Sequence, residues 1–207
     1  MVVCIDRFTA VRMYDKVMRH WKNAIATLRR QQSGVSAIKR DEIQHQIEFM
    51  RETEMAVVIS SSQNEIDDFR RHGLDISAHR KLMRDNDLDT RFKEADDPFR
   101  VVFVCAMWMT GFDVPSCATI YLDKPMRNHT LMQTIARANR VFRDKQNGLI
   151  VDYIGIFRNL EQALSIYGSA DDAGLHPDDK PIESLKEQVK DLHRVIKEAK
   201  EFCLSIG

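Results

Sequence analysis

The 207-residue sequence lacks several features that would place a protein in a familiar class at once. It has no apolar run near the roughly 20 residues that cross a bilayer, and its first residues do not follow the basic-then-apolar order of a secretory signal. Lysine plus arginine equals aspartate plus glutamate, at 31 each. The total charge therefore gives no support to nucleic-acid binding, and any basic surface has to be local. We expect an intracellular protein.

Cysteine is also scarce, and its spacing is uninformative. The four cysteines stand at positions 4, 105, 117 and 203, with no C-x-x-C pair and no cluster of histidines nearby. Cys4 and Cys105 lie inside apolar runs typical of strands, where a free thiol packs as a small hydrophobic group. We therefore expect reduced structural thiols and no metal site.

Short apolar runs alternate with helical patterns along most of the chain. The runs most typical of buried strands are residues 1–5, 55–59, 101–106, 118–122 and 148–151. Between the first two runs, apolar residues recur at steps of three and four, as they do on the buried face of a helix. Strands alternating with helices predict an α/β fold whose mainly parallel sheet is covered on both faces.

The composition changes after residue 167. We assign residues 1–167 to one α/β domain that ends in a helical piece at 159–167, and the stretch 168–181, rich in glycine, aspartate and proline, to a linker. From residue 182 to 207, apolar residues repeat at three and four, which predicts an amphipathic helix that lies against something. We interpret it as the start of a C-terminal helical extension.

The stretch from Trp108 to Arg140 contains the side chains best suited to bind an anion. If this part is helical, Gln133, Arg137 and Arg140 stand at i, i+4 and i+7 and share one face. Two guanidinium groups on one face can hold a phosphate, although Arg-x-x-Arg alone is more typical of a solvated face.

The loop upstream of these arginines strengthens the interpretation. Gly111 and Asp113 sit in a short loop directly after the run 101–106, where backbone and carboxylate could meet a phosphate or a sugar. Ligands of parallel sheets bind at the carboxyl ends of strands. The loop and the arginines together predict half of a nucleotide site at such an end.

These residues also resemble known motifs. Gln133-x-x-Ala136-Arg137-x-x-Arg140 resembles motif VI of superfamily-two helicases, with Ala136 in place of the usual glycine. The segment Thr-Gly-Phe-Asp-Val-Pro at 110–115 resembles motif V, with Cys-Ala at 105–106 where many related helicases have threonine. The motor (R) subunit of type I restriction enzymes has a similar order of sequences: Met-Thr-Gly-Phe-Asp-Val-Pro, then Tyr-Leu-Asp-Lys-Pro, then Gln-x-x-x-Arg-x-Asn-Arg. Residues 3–10 resemble that family's motif IV.

The resemblance, which covers residues 1–160, implies a second RecA-like motor domain, a three-layer α/β domain. It implies that Arg137 and Arg140 reach the triphosphate of ATP across a cleft, and that Gln133 supports that face. Asp113 would contact the ribose, and Gly111 would permit close approach. Arg7 and Thr110 are the corresponding candidates for contact with nucleic acid.

The same resemblance implies partners and a location. The cofactors would be ATP and Mg²⁺ in the full-length protein, held mainly by a first RecA-like domain. The partners would be double-stranded DNA, the first RecA-like and nuclease domains of the same subunit, and the methyltransferase and specificity subunits, in the cytoplasm and without a membrane.

One absence limits this assignment. The chain contains no G-x-x-x-x-G-K-[ST] phosphate loop and no Asp-Glu-x-His segment to hold magnesium. We therefore expect no ATP hydrolysis by this polypeptide alone. Two alternatives stay open: the second domain of another superfamily-two translocase or repair helicase, and a non-catalytic RecA-like module whose C-terminal helix docks a partner.

Overall fold

The structure, a computed structural model, describes residues 1–109, 111–126, 128–156 and 193–194. The chain divides into two compact units, Met1–Ser165 and Ile166–Gly207, and the elements below all belong to the first. The predicted helical piece at 159–167, the linker at 168–181 and most of the predicted helix at 182–207 lie outside the described residues. Within that last stretch, His193 and Arg194 are helical.

A five-stranded sheet forms the centre of the first unit. Its strand order is β2-β3-β1-β4-β5, and all four neighbouring pairs are parallel. The strands are β1 Val2–Cys4, β2 Glu54–Val58, β3 Phe99–Val104, β4 Thr119–Asp123 and β5 Leu149–Asp152. Each predicted apolar run overlaps one of these strands, with bounds that differ by at most two residues at either end. The predicted α/β class with a parallel sheet is therefore confirmed, in an arrangement consistent with a RecA-like domain.

Six helices connect or flank the strands in residues 1–156, as far as these are described. They are α1 Arg7–Gln31, α2 Ala37–Glu52, α3 Glu65–Arg71, α4 Ser77–Asp85, α5 Leu88–Lys93 and α6 Asn128–Ala138. Helix α1 begins where it does because the Asp6 carboxylate accepts a hydrogen bond of 2.6 Å from the Thr9 backbone N–H, one of the donors that a helix start leaves unpaired. Ser36 caps α2 in the same way, from Lys39 N–H.

The main core lies between α1 and one face of the sheet. Val2 and Cys4 of β1 point into it with Phe103 of β3, and Val11 of α1 and Phe69 of α3 pack against them. Side chains alternate along a strand, so Val3, aligned with Val104 and Leu122, points to the opposite face. These three are also fully buried, and α6 packs against β4 and β5. The sheet is thus covered on both faces.

The structure corrects one prediction about α6. The helix ends at Ala138, so Arg140 lies two residues beyond it, and the prediction that Arg140 shares a helical face with Gln133 and Arg137 is wrong. The cause is local competition for backbone groups. The Phe142 N–H pairs with the carbonyl of Lys145 in a short bridge instead of continuing the helix, and Lys145 Nζ donates to the Ala138 carbonyl at 2.9 Å.

The burial of Phe103 leads to a stability prediction with a matched control. Phe103→Ala should lower the free energy of unfolding by about 3–5 kcal/mol, because it opens a cavity between α1 and the sheet. Phe49, at 53% exposure, stacks only on Arg100, and Phe49→Ala should cost less than about 1 kcal/mol. Urea denaturation of both variants measures the difference. Equal losses would show that the core is not where the structure has it.

Candidate nucleotide half-site

The candidate site begins with the long link between β3 and β4, residues 105–118, which we call the crossing loop. It starts at the carboxyl end of β3 and must reach the amino end of β4, because the strands are parallel. Trp108 stacks on Phe112 with ring centroids 4.2 Å apart, and both stack on Phe92, whose ring lies 5.2 Å from that of Phe99. Phe99 is the first residue of β3. The loop therefore runs back along the sheet toward its amino edge.

This path changes the predicted position of the site. Gly111 and Asp113 lie on the returning half of the crossing loop, so the prediction that they lie at the carboxyl end of a strand is wrong. Gly111 has a φ of 72°, in the left-handed region that favours glycine, and no atom lies near where a Cβ would stand. Backbone conformation therefore explains this glycine without a ligand.

Lys145 fastens the end of the crossing loop to the end of α6. Its ammonium donates to three backbone carbonyls, those of Pro115 at 2.7 Å, Cys117 at 3.0 Å and Ala138 at 2.9 Å. Partial burial lowers the pKa of Lys145. The three carbonyls offset the cost of that burial. One cation thus holds both the segment that follows Asp113 and the end of α6, which precedes Arg140.

Gly148 permits the same close approach. A Cβ built on Gly148 would collide with the backbone carbonyl of Ala138 at the end of α6. Its φ is not positive, so the requirement for glycine here is steric and not conformational. The start of β5 can therefore pass directly beneath the residues that lead to Arg140.

Arg137 faces the crossing loop. Its Nη1 donates to the carbonyls of Trp108 and Phe112, the latter at 2.6 Å. Burial lowers the pKa of Arg137, and the nearby Asp113 carboxylate acts against that shift. Its Nε is buried and has no hydrogen-bond partner among the described residues. In this structure Arg137 stabilises the loop, and one of its donors is unused.

Arg140 is exposed and pairs with the loop. Its Nη1 lies 2.8 Å from Asp113 Oδ2, and the two side chains are 51% and 59% exposed. The structure thus brings together Arg137, Arg140 and Asp113, three of the residues that the sequence singled out. Gln133 is half-buried on α6 and has a contact of its own. Thr110 lies outside the described residues.

Comparison with known proteins identifies the family of this domain. The family described as "Type I restriction enzyme subunit R domain 3" matches residues 4–155, which include the last residue of β1, the other four strands and the candidate site. The chain belongs to the type I restriction enzyme R-subunit family.

Two relatives show how much of such a subunit is present. The chain is 44% identical over 122 residues to the type I restriction enzyme HindI endonuclease subunit of Haemophilus influenzae, covering 58% of this chain and 11% of the relative. It is 42% identical over 147 residues to the putative type I restriction enzyme MjaIXP endonuclease subunit of Methanocaldococcus jannaschii, covering 70% and 12%. The chain therefore spans about an eighth of the length of these R subunits.

Arg7, the predicted nucleic-acid contact, lies elsewhere in this R-subunit domain. Its Nη1 donates to the Ser60 carbonyl, to Ser62 Oγ at 2.7 Å and to Glu65 Oε1 at 3.3 Å. Glu65 is buried and also receives two hydrogen bonds from Arg80. The guanidinium of Arg7 is thus engaged at the carboxyl end of β2, and its predicted contact with DNA stays a prediction.

Sequence reasoning missed the residues that hold the site in place. Lys145 belongs to no motif, and two of the three carbonyls that it binds, those of Pro115 and Cys117, are distant from it in sequence. Gly148 is the first residue of the apolar run 148–151, where a glycine is unusual, but the backbone carbonyl with which a Cβ would collide is identified only by the tertiary structure. The described residues contain no group of three or more histidine, cysteine or acidic side chains that could hold a metal ion. Nor do they include a helix with the length and hydropathy of a membrane span.

The role of Lys145 can be tested by stability. Lys145→Met should lower the free energy of unfolding by about 2–4 kcal/mol, because three partly buried carbonyls lose their charged donor. Lys39→Met is the matched control, since Lys39 is 61% exposed and pairs only with Glu42, and it should cost about 0.5 kcal/mol or less. Urea denaturation gives both values. A loss at position 145 no larger than the control would contradict the role assigned to this lysine.

Proposed function

We propose that this R-subunit domain is the second motor domain of an ATP-dependent DNA translocase. In this proposal it presents Arg140 to ATP bound mainly by another domain of the same subunit. The ion pair between Arg140 and Asp113 carries the proposal, because it places a phosphate-binding group and a sugar-binding group side by side on an exposed surface.

The energy of this pair supports an exchange of partners. Both side chains are more than half exposed, and exposed ion pairs contribute only about 0–1 kcal/mol. A triphosphate offers Arg140 more negative charge than one carboxylate does, and ribose hydroxyls can donate to Asp113. Opening the pair therefore costs little compared with the contacts that replace it.

Arg137 and Arg140 differ in how readily their guanidinium groups can contact a phosphate. Arg140 is exposed and needs only to leave Asp113, whereas Arg137 already holds two loop carbonyls. We assign phosphate contact first to Arg140, and we give Arg137 the task of positioning the loop that carries Asp113. Its unused Nε donor leaves room for the predicted phosphate contact of Arg137 if the crossing loop shifts.

The residues of this domain are suited to contact one side of a bound nucleotide. A guanidinium that approaches the transferred phosphoryl group stabilises negative charge and is worth about 10³ to 10⁵ in rate where it has been tested. ATP with Mg²⁺ supplies the phosphoryl chemistry when bound. Gly111 allows the loop to approach closely, and Gln133 supports the face of α6 nearest to it. We place the remaining groups that hold ATP and Mg²⁺ on a first RecA-like domain.

The names of the relatives support the proposed setting. Their names describe endonuclease subunits of type I restriction enzymes, and we propose that the intact subunit acts in the cytoplasm on double-stranded DNA. It would work with a nuclease domain in the same subunit and with methyltransferase and specificity subunits. Another superfamily-two translocase, or a non-catalytic RecA-like module, would use the same fold differently.

The decisive variant is Arg140→Ala in the intact subunit. We expect DNA-stimulated ATP hydrolysis to fall about 10³-fold, because the transition state loses its positive charge. Steady-state phosphate release with saturating DNA measures this loss. The 207-residue chain alone should release no phosphate.

Arg143→Ala provides the control. Arg143 is 59% exposed and pairs with Asp96, so the substitution removes an equivalent surface ion pair from the same region. We expect its ATPase rate to stay within about twofold of the wild type. If Arg140→Ala also leaves the rate unchanged, the motor assignment fails, and the hypothesis of a non-catalytic RecA-like module is favoured.

A further inference from the structure

The charge of this neutral chain is unevenly distributed. Helix α1 carries seven basic side chains and a single acidic one, whereas the whole sequence has 31 of each sign. The rest of the chain therefore has an excess of six acidic side chains. A local basic surface, the only kind that the composition permits, lies on one helix.

The basic residues of α1 form a stripe opposite its buried face. Arg12, Lys16, Arg19 and Arg30 fall at steps of three and four residues, or multiples of them, so they lie within a narrow arc of the helix. All four are exposed. The buried arc, which includes Ala10 and Val11, packs on the sheet and against α2. We call these four residues the α1 stripe.

The charges of the α1 stripe are not neutralised within the described part of the chain. None of the four takes part in an ion pair there, although eleven ion pairs involve other residues. Arg30 hydrogen-bonds only to Ala26 and Thr27 of its own helix. The only acidic residue of α1, Asp15, stands three residues after Arg12 and four before Arg19, and it forms no ion pair with either of them.

We propose that the α1 stripe binds the phosphate backbone of double-stranded DNA. This inference rests on the proposed function, which requires a DNA track, and it places one part of that track on α1. The stripe extends over about 27 Å at about 1.5 Å per residue. That length matches about eight base pairs of duplex.

The chemistry of the stripe favours a duplex over a single strand. Proteins that hold single strands combine a basic groove with aromatic side chains on which bases stack. The stripe has no aromatic residue, and the positions between its charges are occupied by Asn23 and Ala26. Lysine and arginine without stacking partners bind backbone phosphates and give no sequence preference. That suits a translocase, which must move along any sequence.

The proposal also separates the stripe from Arg7. Arg7 begins the same helix but is engaged by Glu65, Ser60 and Ser62. Its charge is already paired with a buried carboxylate, so its contribution to DNA affinity should be smaller than that of a stripe residue. The DNA surface thus begins about one turn further along α1, at Arg12.

The test compares two triple variants of the 207-residue chain. The first is Arg12→Gln/Lys16→Gln/Arg19→Gln. The control is Lys39→Gln/Arg70→Gln/Arg84→Gln, which removes three exposed positive charges that are each paired with a nearby carboxylate. The two variants have the same net charge. Thermal unfolding by circular dichroism establishes that both are folded.

Binding is measured by fluorescence anisotropy with a short labelled duplex of random sequence, without ATP, across about 50–200 mM salt. For the stripe variant we expect at least tenfold weaker binding at about 100 mM salt and a slope of log affinity against log salt reduced by about two to three. The control should change less than about twofold. The single variant Lys16→Gln should reduce the slope by about one.

Several results would overturn the proposal. They are an equal loss of affinity in both triple variants, or no loss in the stripe variant. The wild type failing to bind the duplex at the lowest salt, or binding a single strand of the same length more tightly than the duplex, would also contradict it. Because no ATP is present, the outcome is independent of Arg140. An ATPase failure of the motor proposal and a binding failure of the α1 stripe are therefore distinguishable.

Discussion

The parallel sheet imposes the constraint on which the rest of this domain depends. Every strand enters at the same edge, so each link must return the chain across the sheet, and most links do so with a helix. The link from β3 to β4 is the exception among the described elements. The crossing loop satisfies few of its own backbone groups, and buried carbonyls need donors. Arg137 and Lys145 supply them. Two cationic side chains thus pair with the loop carbonyls, which in the helical links are paired by backbone N–H groups.

This solution explains how the candidate site is built. The cations that hold the crossing loop come from the end of α6 and the turn after it, so fixing the loop also fixes the chain on either side of Arg140. Gly148 allows the approach by having no side chain. Asp113 and Arg140 are then presented on the surface by partners that are themselves held in place. The two cations that hold the site are partly buried, and the ion pair that would meet a ligand is exposed.

The distribution of charge adds a second surface to the domain. A neutral composition conceals a strongly basic α1, because acidic side chains elsewhere balance it. Burial sorts these charges into two groups. Arg7 and Arg80 surround the buried Glu65 and stabilise the fold at the carboxyl end of β2, whereas the α1 stripe has no acidic partner in the described structure. Only the second group has charge to offer to another molecule.

The sequence by itself determined the class of fold, the positions of the strands and the family, because hydrophobic periodicity and short motifs are local properties of a chain. It also identified Arg137, Arg140, Gly111 and Asp113 as belonging together. It did not determine that α6 ends before Arg140, that the crossing loop runs back to the amino edge of the sheet, or that Arg7 is paired with Glu65. Those outcomes depend on contacts between groups that are distant in sequence and compete for the same carbonyls and carboxylates. Only the packed tertiary structure decides which of these contacts form.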